Sequence, residues 1–263
     1  MKKSFIVLVF VLVAGAATGQ TLKKGGIVAF RPLAVTLHPD VIMNQYQDFL
    51  INEYFPEIEQ AFTGSKIFLL KGDRGAQQQG LAWIWYFDSP GLRAQYWDEE
   101  GNFTQAGGVA MEKLGAVIEK SNQFVEAAES GYTDWIILPQ STNRELELQK
   151  GTVLGWHHMD LTLAPGATLS QFLDFMAEKY IPELEKIARG WTIYMMKGDR
   201  GEHADDYALM YWIESLEARD RLEPEEGVLT EEGKSAVAGV EPLFNELQEL
   251  GTWTSEYTDW VIQ

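Results

Sequence analysis

The five residues Lys71-Gly72-Asp73-Arg74-Gly75 recur unchanged as Lys197-Gly198-Asp199-Arg200-Gly201, 126 positions later. The same offset places Pro39 on Pro165, Phe49 on Phe175, Tyr54-Phe55-Pro56-Glu57 on Tyr180-Ile181-Pro182-Glu183, and Gly64 on Gly190. It also places Ser89, Arg93 and Glu100-Gly101 on Ser215, Arg219 and Glu226-Gly227. Tyr132-Thr133-Asp134-Trp135 matches Tyr257-Thr258-Asp259-Trp260 at an offset of 125, so one residue is lost late in the second copy. A chain written twice in this way must fold as two copies of one unit.

Each copy opens with strand periodicity. Met159, Leu161 and Leu163 alternate with His158, Asp160 and Thr162, and Leu33, Val35 and Leu37 do the same in the first copy. A helix follows, with Leu169, Phe172, Phe175-Met176, Tyr180 and Leu184 on one face and Thr168 with Gln171 as a capping box. In the first copy Met43, Tyr46, Phe49-Leu50 and Tyr54 take that face, with Asp40 as the expected cap. Two short strands then flank the repeated pentapeptide, which the two glycines place in a hairpin turn. The second of these strands, with Trp83-Ile84-Trp85-Tyr86-Phe87, is apolar on both faces, as a fully covered strand would be. Ser89-Pro90 caps a further helical segment, Gly101 interrupts it, and a second helix resumes with Leu114, Val117-Ile118 and Val125. Tyr132 to Leu138 and Tyr257 to Gln263 close the copies as strands.

The order strand, helix, strand, strand, helix, strand is the split βαβ, or ferredoxin-like, motif. The fold class expected is therefore α+β: two tandem βαββαβ modules, at 25–138 and 151–263, closing an intrachain pseudo-dimeric α+β barrel. Residues 139–150 have no repeat equivalent and form the linker. Pro32 conflicts with an internal first strand, because proline cannot donate to a ladder; a bulge, or a strand starting after it, is required.

This layout resembles the dimeric α+β barrel superfamily fused in tandem, over about residues 25–263. Small monooxygenases of the antibiotic-biosynthesis type, EthD-like and NIPSNAP-like proteins and the two-module chlorite dismutase-like haem proteins belong to it. The resemblance rests on element order and repetition, and no catalytic motif of the family is present to transfer. It implies a small-molecule pocket inside or beside the barrel; whether a cofactor is present, and which, the residues leave unknown.

Residues 1–20 are expected to be an export signal: Lys2 and Lys3, an apolar run from Phe5 to Val13, then small residues through Gly19. The expected product is a periplasmic or secreted protein starting near Gln20 or Thr21. With no cysteine in the chain, lipid-anchored cysteines, disulfides and thiolate metal sites are excluded. Two of the 21 basic side chains lie in the first 19 residues, so 19 remain against 39 acidic ones, a formal charge of −20. That excess disfavours nucleic acid and anionic lipid as partners. A monomer acting as its own pseudo-dimer is expected.

The first strand of copy two carries the expected site. Alternation sends Trp156, His158, Asp160 and Thr162 to the face opposite Met159, Leu161 and Leu163, toward the opposing sheet. Their repeat positions, Phe30, Pro32, Ala34 and Thr36, carry no ionisable group, so acid–base chemistry has arisen on one side only. His158 and Asp160 are the candidate catalytic residues, the carboxylate orienting the imidazole. Tyr211, Tyr257 and Asp259 join Trp156 as candidate ligand contacts, on the expectation that Trp135 and Trp260 pack under the helices. A structural His–Asp hydrogen bond without ligand is the other reading. His203, in Glu202-His203-Ala204-Asp205-Asp206, is expected in a solvated loop, and no metal site is expected. No Ser-centred elbow, HExxH helix or dinucleotide fingerprint is present. Whether the chain is an enzyme or ligand binder, or a non-catalytic interaction module, turns on the interior: a polar-lined cavity for the first, a filled barrel with an exposed apolar patch for the second.

Overall fold

The computed structural model describes residues 20–129 and 131–263. The expected export signal lies almost wholly outside the described residues. Eleven strands are present among them: β1 (Gln20–Thr21), β2 (Ile27–Leu37), β3 (Ser65–Gly75), β4 (Leu81–Phe87), β5 (Val125–Glu129), β6 (Thr133–Ile137), β7 (Glu147–Leu148), β8 (Val153–Leu163), β9 (Trp191–Gly201), β10 (Tyr207–Ile213) and β11 (Gly251–Ile262). Within the first copy the strands pair in the order β6-β2-β4-β3, and within the second β11-β8-β10-β9, all antiparallel. This is the ferredoxin-like order, twice. The sheets then join at both edges, β6 with β9 and β11 with β3, which closes an eight-stranded barrel.

The principal helices lie outside the barrel. Residues 43–61 and 169–187 each run α, π, α, with the five-residue π turn at Leu50–Tyr54 and Met176–Tyr180. Thr168 and Gln171 form the expected capping box, whereas the first copy is capped at Ile42 by the Gln45 side chain and not by Asp40. Ser89 and Ser215 cap the short helices Pro90–Ala94 and Leu216–Asp220. Helices Gln105–Lys113, Gly115–Ser121 and Glu231–Gln248 complete the outer layer. Val125, expected in a helix, lies in β5 instead.

Two apolar layers, one per module, fill the space between sheet and helices: around Phe49, Phe55 and Phe62 in the first, around Phe172, Met176 and Leu184 in the second. The third core is the barrel interior, with Ile84, Tyr86, Trp135, Trp156, Tyr194 and Trp260. Trp135 and Trp260 therefore point into the barrel and not under the helices. An eight-stranded barrel has an interior that side chains must fill at crystal-like density, and these indoles supply the volume.

The pentapeptides do not sit in free turns. They end β3 and β9 and form the two seams between modules. Trp260 lies opposite Gly72 and Asp259 opposite Arg74, leaving Asp73 as the extra residue of a β-bulge; Trp135, Gly198, Asp134, Arg200 and Asp199 repeat the arrangement. Gly75 and Gly201 have φ of +84° and +98°. A Cβ on Gly72 would stand 1.9 Å from the Gln77 carbonyl oxygen, and one on Gly198 1.8 Å from that of His203. Only glycine fits either place.

Pro32 is accommodated in neither of the expected ways. β2 runs unbroken along β4 from Ile27 to Leu33. On its other side β6 pairs as far as Phe30 and β5 resumes at Ala34, so residues 31–33 have no ladder partner there. The residue without an N–H occupies the interruption.

Segment 139–150 does more than connect. β7 pairs with β1, Leu22 donates its N–H to the Leu146 carbonyl at 2.9 Å, and Leu22, Leu146 and Leu148 pack into the interior core. Trp212 Nε1 donates to the Glu147 carbonyl and the Tyr194 hydroxyl to that of Arg144. These residues plug one end of the barrel.

Candidate functional site

The other end is open. A cavity of about 480 Å³ enters there, lined by Phe30, Pro32, Trp135, Trp156, His158, Asp160, His203 and Trp260 among others. Its floor is aromatic. The Phe30 and Trp156 rings stack at 4.6 Å, with Trp260 5.7 Å from Phe30 and Trp135 5.9 Å from Trp156. Each comes from an inward position of a barrel strand, which is where alternation along β2, β6, β8 and β11 puts it.

The polar end of the cavity is built from the second module. His158 Nε2 lies 2.9 Å from Asp206 Oδ2, and His203 Nδ1 lies 3.1 Å from the same oxygen. A carboxylate only accepts, so both imidazoles donate to it. The proton on His158 Nε2 and that on His203 Nδ1 point to the carboxylate, and Nδ1 of His158 and Nε2 of His203 are turned away from it. The two rings stand 4.1 Å apart, and both contact Trp135, at 6.1 and 6.3 Å. The hydrogen bond from His158, then that from His203, holds the Asp206 carboxyl below the usual carboxylate range. All three side chains are between one-third and one-half exposed, as groups at an entrance are.

Sequence alternation thus located His158 and Trp156 but not the partner. Asp160 lines the cavity and is exposed, and Asp206 is the carboxylate that orients His158. Side chains two apart on a strand stand side by side without touching, whereas Asp206 immediately precedes β10, where Ala208 pairs with His158. Asp206 and His203 share the β9–β10 hairpin. Gly198 holds that hairpin down: its N–H donates to the Asp206 carbonyl at 2.9 Å, and Asp205 N–H donates back to the Gly198 carbonyl at 3.0 Å. The repeat itself carried a signal for these two residues. At their positions the first copy has Gln77 and Gly80, as it has Pro32 opposite His158.

Tyr211, Tyr257 and Asp259 do not join this site. They lie on the outer face of the sheet, around a separate hollow with His157 and Arg219. The reason is the inward orientation of Trp260, which turns its neighbours outward. The Tyr257 ring stacks on His157 at 5.4 Å, and His157 Nδ1 lies 3.2 Å from Ser255 Oγ. Burial pushes the phenols of Tyr211 and Tyr257 upward. Asp259 accepts from Arg219 Nη1 at 3.1 Å, and Arg219 Nη1 also meets Asp73 across the seam at 2.7 Å. At the other seam Arg93 bridges Asp134 and Asp199, at 2.8 and 2.6 Å. Helix-borne arginines are thus the partners of both buried aspartates.

Three donor groups of a kind that bind divalent cations converge at the mouth: the coordinating atoms of His158, His203 and Asp206 all lie within 4.8 Å of one another. It is the one such group among the described residues.

No family model and no curated protein sequence matches the chain. Solved structures share its layout. A chlorite dismutase from Candidatus Nitrospira defluvii aligns over 91% of this chain and 92% of its own at 9% identity, with a TM-score of 0.47. A haem-binding protein from Thermus thermophilus aligns over 93% of both chains at 12% identity, also with a TM-score of 0.47. A NIPSNAP-like domain protein from Burkholderia xenovorans aligns over 97% of its own length and 49% of this chain, at 8% identity and a TM-score of 0.31. Likenesses this distant decide neither ligand nor reaction. Strand order and the two seams decide the architecture. The fold is a tandem dimeric α+β barrel. No helix among the described residues is long and apolar enough to cross a membrane.

Proposed function

We propose that this chain takes a small, flat, partly apolar molecule into the open end of its barrel and that His158 acts on the polar end of that ligand as an acid–base group. One observation carries the reading: the hydrogen-bonded imidazole–carboxylate cluster above the cavity's aromatic floor has been built in one module of an otherwise duplicated barrel. A structural role common to both modules would not need it, because Pro32, Gln77 and Gly80 serve the same fold without it. An aromatic cavity of this size with a few polar groups at its mouth also suits a ligand site better than a macromolecular docking face. The exposed large apolar residues, such as Ile42, Val109 and Val237, are dispersed along the chain.

The chemistry available is proton transfer. Asp206 orients the His158 imidazole through Nε2, which leaves Nδ1 as the nitrogen that can exchange a proton with a ligand. Phenols and enols have the flat body and acidic hydrogen that such a site accepts. The test is a panel of small phenols followed by intrinsic tryptophan fluorescence, because four aromatic rings line the floor. Saturable quenching is expected in the wild type and in Asp160→Asn, weakened about tenfold or more in His158→Gln and Asp206→Asn. Equal binding by all four proteins would end the reading.

A second reading rests on the convergence of both imidazoles on one carboxylate oxygen. A divalent cation at this place would be held by His158, His203 and Asp206 and would supply Lewis-acid chemistry to a ligand's polar end. Isothermal titration with zinc and cobalt separates the readings: stoichiometric binding that His203→Ala abolishes supports the ion, and none supports the proton.

We propose a periplasmic or secreted location on the character of residues 1–20 alone. N-terminal sequencing of the product should find Gln20 or Thr21 first, and retention of Met1 on an exported product would refute the placement.

A further inference from the structure

The outer faces of the two sheets carry a matched pair of hollows. In the second module His157, Tyr211, Ile213, Arg219, Glu223 and Asp259 line one. At the corresponding repeat positions Arg31, Trp85, Phe87, Arg93, Trp97 and Asp134 line the other. The frame is the same and the charge is opposite. Around the second-module hollow two guanidinium groups, Arg74 and Arg219, face Glu223, Glu226 and Asp259, and are further engaged by Asp73 and Asp220. Its imidazole, His157, is neutral at pH 7, since burial lowers its pKa to about 4. Around the first-module hollow three guanidinium groups, Arg31, Arg93 and Arg200, face Asp134, with Asp199 bonded to Arg93. In a chain with a formal charge of −18, this hollow holds an excess of cation.

Arg31 is the source of the excess. Among the described residues no carboxylate lies within ion-pair distance of it. Its guanidinium rests over the Tyr132 ring at 4.8 Å, and burial holds its pKa below the usual arginine value. Arg93 engages Asp134 and Asp199 through its two terminal nitrogens, while its buried Nε has no hydrogen-bond partner among the described residues. Asp134, which is bonded to Arg93, acts on Arg31 only from beyond ion-pair distance; a largely buried cation with no carboxylate in contact is costly, and the repeat shows that the fold does not require one, because His157 fills the same position.

We propose that the first-module hollow is a second ligand site, for a small carboxylate with an apolar body, and that Arg31 is its anchor. The guanidinium fork matches a carboxylate in two hydrogen bonds. Trp85, Phe87, Trp97 and Tyr132 offer walls for an apolar body, which a bare phosphate would leave unused. The hollow is about 170 Å³, below the roughly 300–1,000 Å³ of sites for drug-sized molecules, so the ligand is small. It opens on the opposite face of the sheet from His158, and the inference is independent of the function proposed above.

The experiment is titration of the full-length mature protein with sodium benzoate in a low-chloride buffer, followed by tryptophan fluorescence and by calorimetry. Inorganic phosphate is run in parallel on the wild type, Arg31→Gln and Arg31→Lys. Saturable benzoate binding is expected, weakened about tenfold or more in Arg31→Gln (on the order of 1.4 kcal/mol or more) and only partly restored in Arg31→Lys. Circular dichroism and melting establish that the variants are folded, and because Arg31 has no ion-pair partner among the described residues, Arg31→Gln should melt no lower than wild type. Absence of saturable benzoate binding, equal affinity in Arg31→Gln, or tighter binding of phosphate than of benzoate would each overturn the proposal.

Discussion

His157 and His158 are adjacent on β8 and face opposite sides of one sheet, so burial and partner, not residue type, set what each does. His158 meets the cavity and a carboxylate. His157 is packed between Tyr211 and Tyr257, and its pKa falls to about 4 from 6.5. The folded protein therefore refuses a proton that the unfolded chain accepts between those values. The stability contributed is fully present above pH ~6.5 and is lost as pH falls toward ~4, with a ceiling of about 3 kcal/mol. Replacing His157 by Gln should flatten this part of the pH profile, measured as the difference in urea midpoints between wild type and variant at about pH 7.5 and 4.5. An unchanged slope would show that the imidazole is solvated. Alternation along β8 made the inward set Trp156, His158, Asp160 legible in the sequence. The pairing of His158 with Asp206 was not, because it depends on how a hairpin 48 residues away folds back over the strand.

At the scale of elements, the repeated Lys-Gly-Asp-Arg-Gly is the device that joins the two sheets. Its first glycine lets the following hairpin tuck against the strand, its aspartate is the bulge that meets the arginine of the other module, and its last glycine passes under the partner strand. A Cβ on Gly75 would stand 2.2 Å from the Tyr257 carbonyl oxygen, in a conformation with φ +84°. Gly75→Ala should cost about 1–3 kcal/mol or more, while Gly25→Ala, at φ +78° with open space around it, should cost about 1 kcal/mol; chemical denaturation distinguishes them. Arg93→Ala should cost about 3–5 kcal/mol, because it strands the buried Asp134 carboxylate. The pentapeptide was conspicuous in the sequence, yet two glycines around Asp-Arg look alike in a turn and in a bulged strand end. The direction of Trp135 and Trp260 was equally undetermined, since a tryptophan fits the space under a helix as well as the inside of a barrel. Arg93 and Arg219, matched by the repeat, were the residues that could have marked Asp134 and Asp259 as outward.

For the molecule as a whole, the number of sheets follows from the repeat, and its closure follows from the edges. A lone module would leave the strand edges of β3 and β6, or of β9 and β11, unpaired, and half of a shared interior core facing water. Calorimetry should therefore show one unfolding transition with calorimetric and van't Hoff enthalpies in agreement, and Arg93→Ala should shift all of it. Two resolved transitions would mean that the modules stand alone. The plug formed by Leu22, Leu146 and Leu148 has a consequence for traffic. A barrel stopped at one end is a vessel and not a conduit. Whatever enters past His158 must leave past His158, and no second molecule can displace the first from behind. Departure then sets the pace of exchange, and its rate constant should stay the same however much free ligand waits outside.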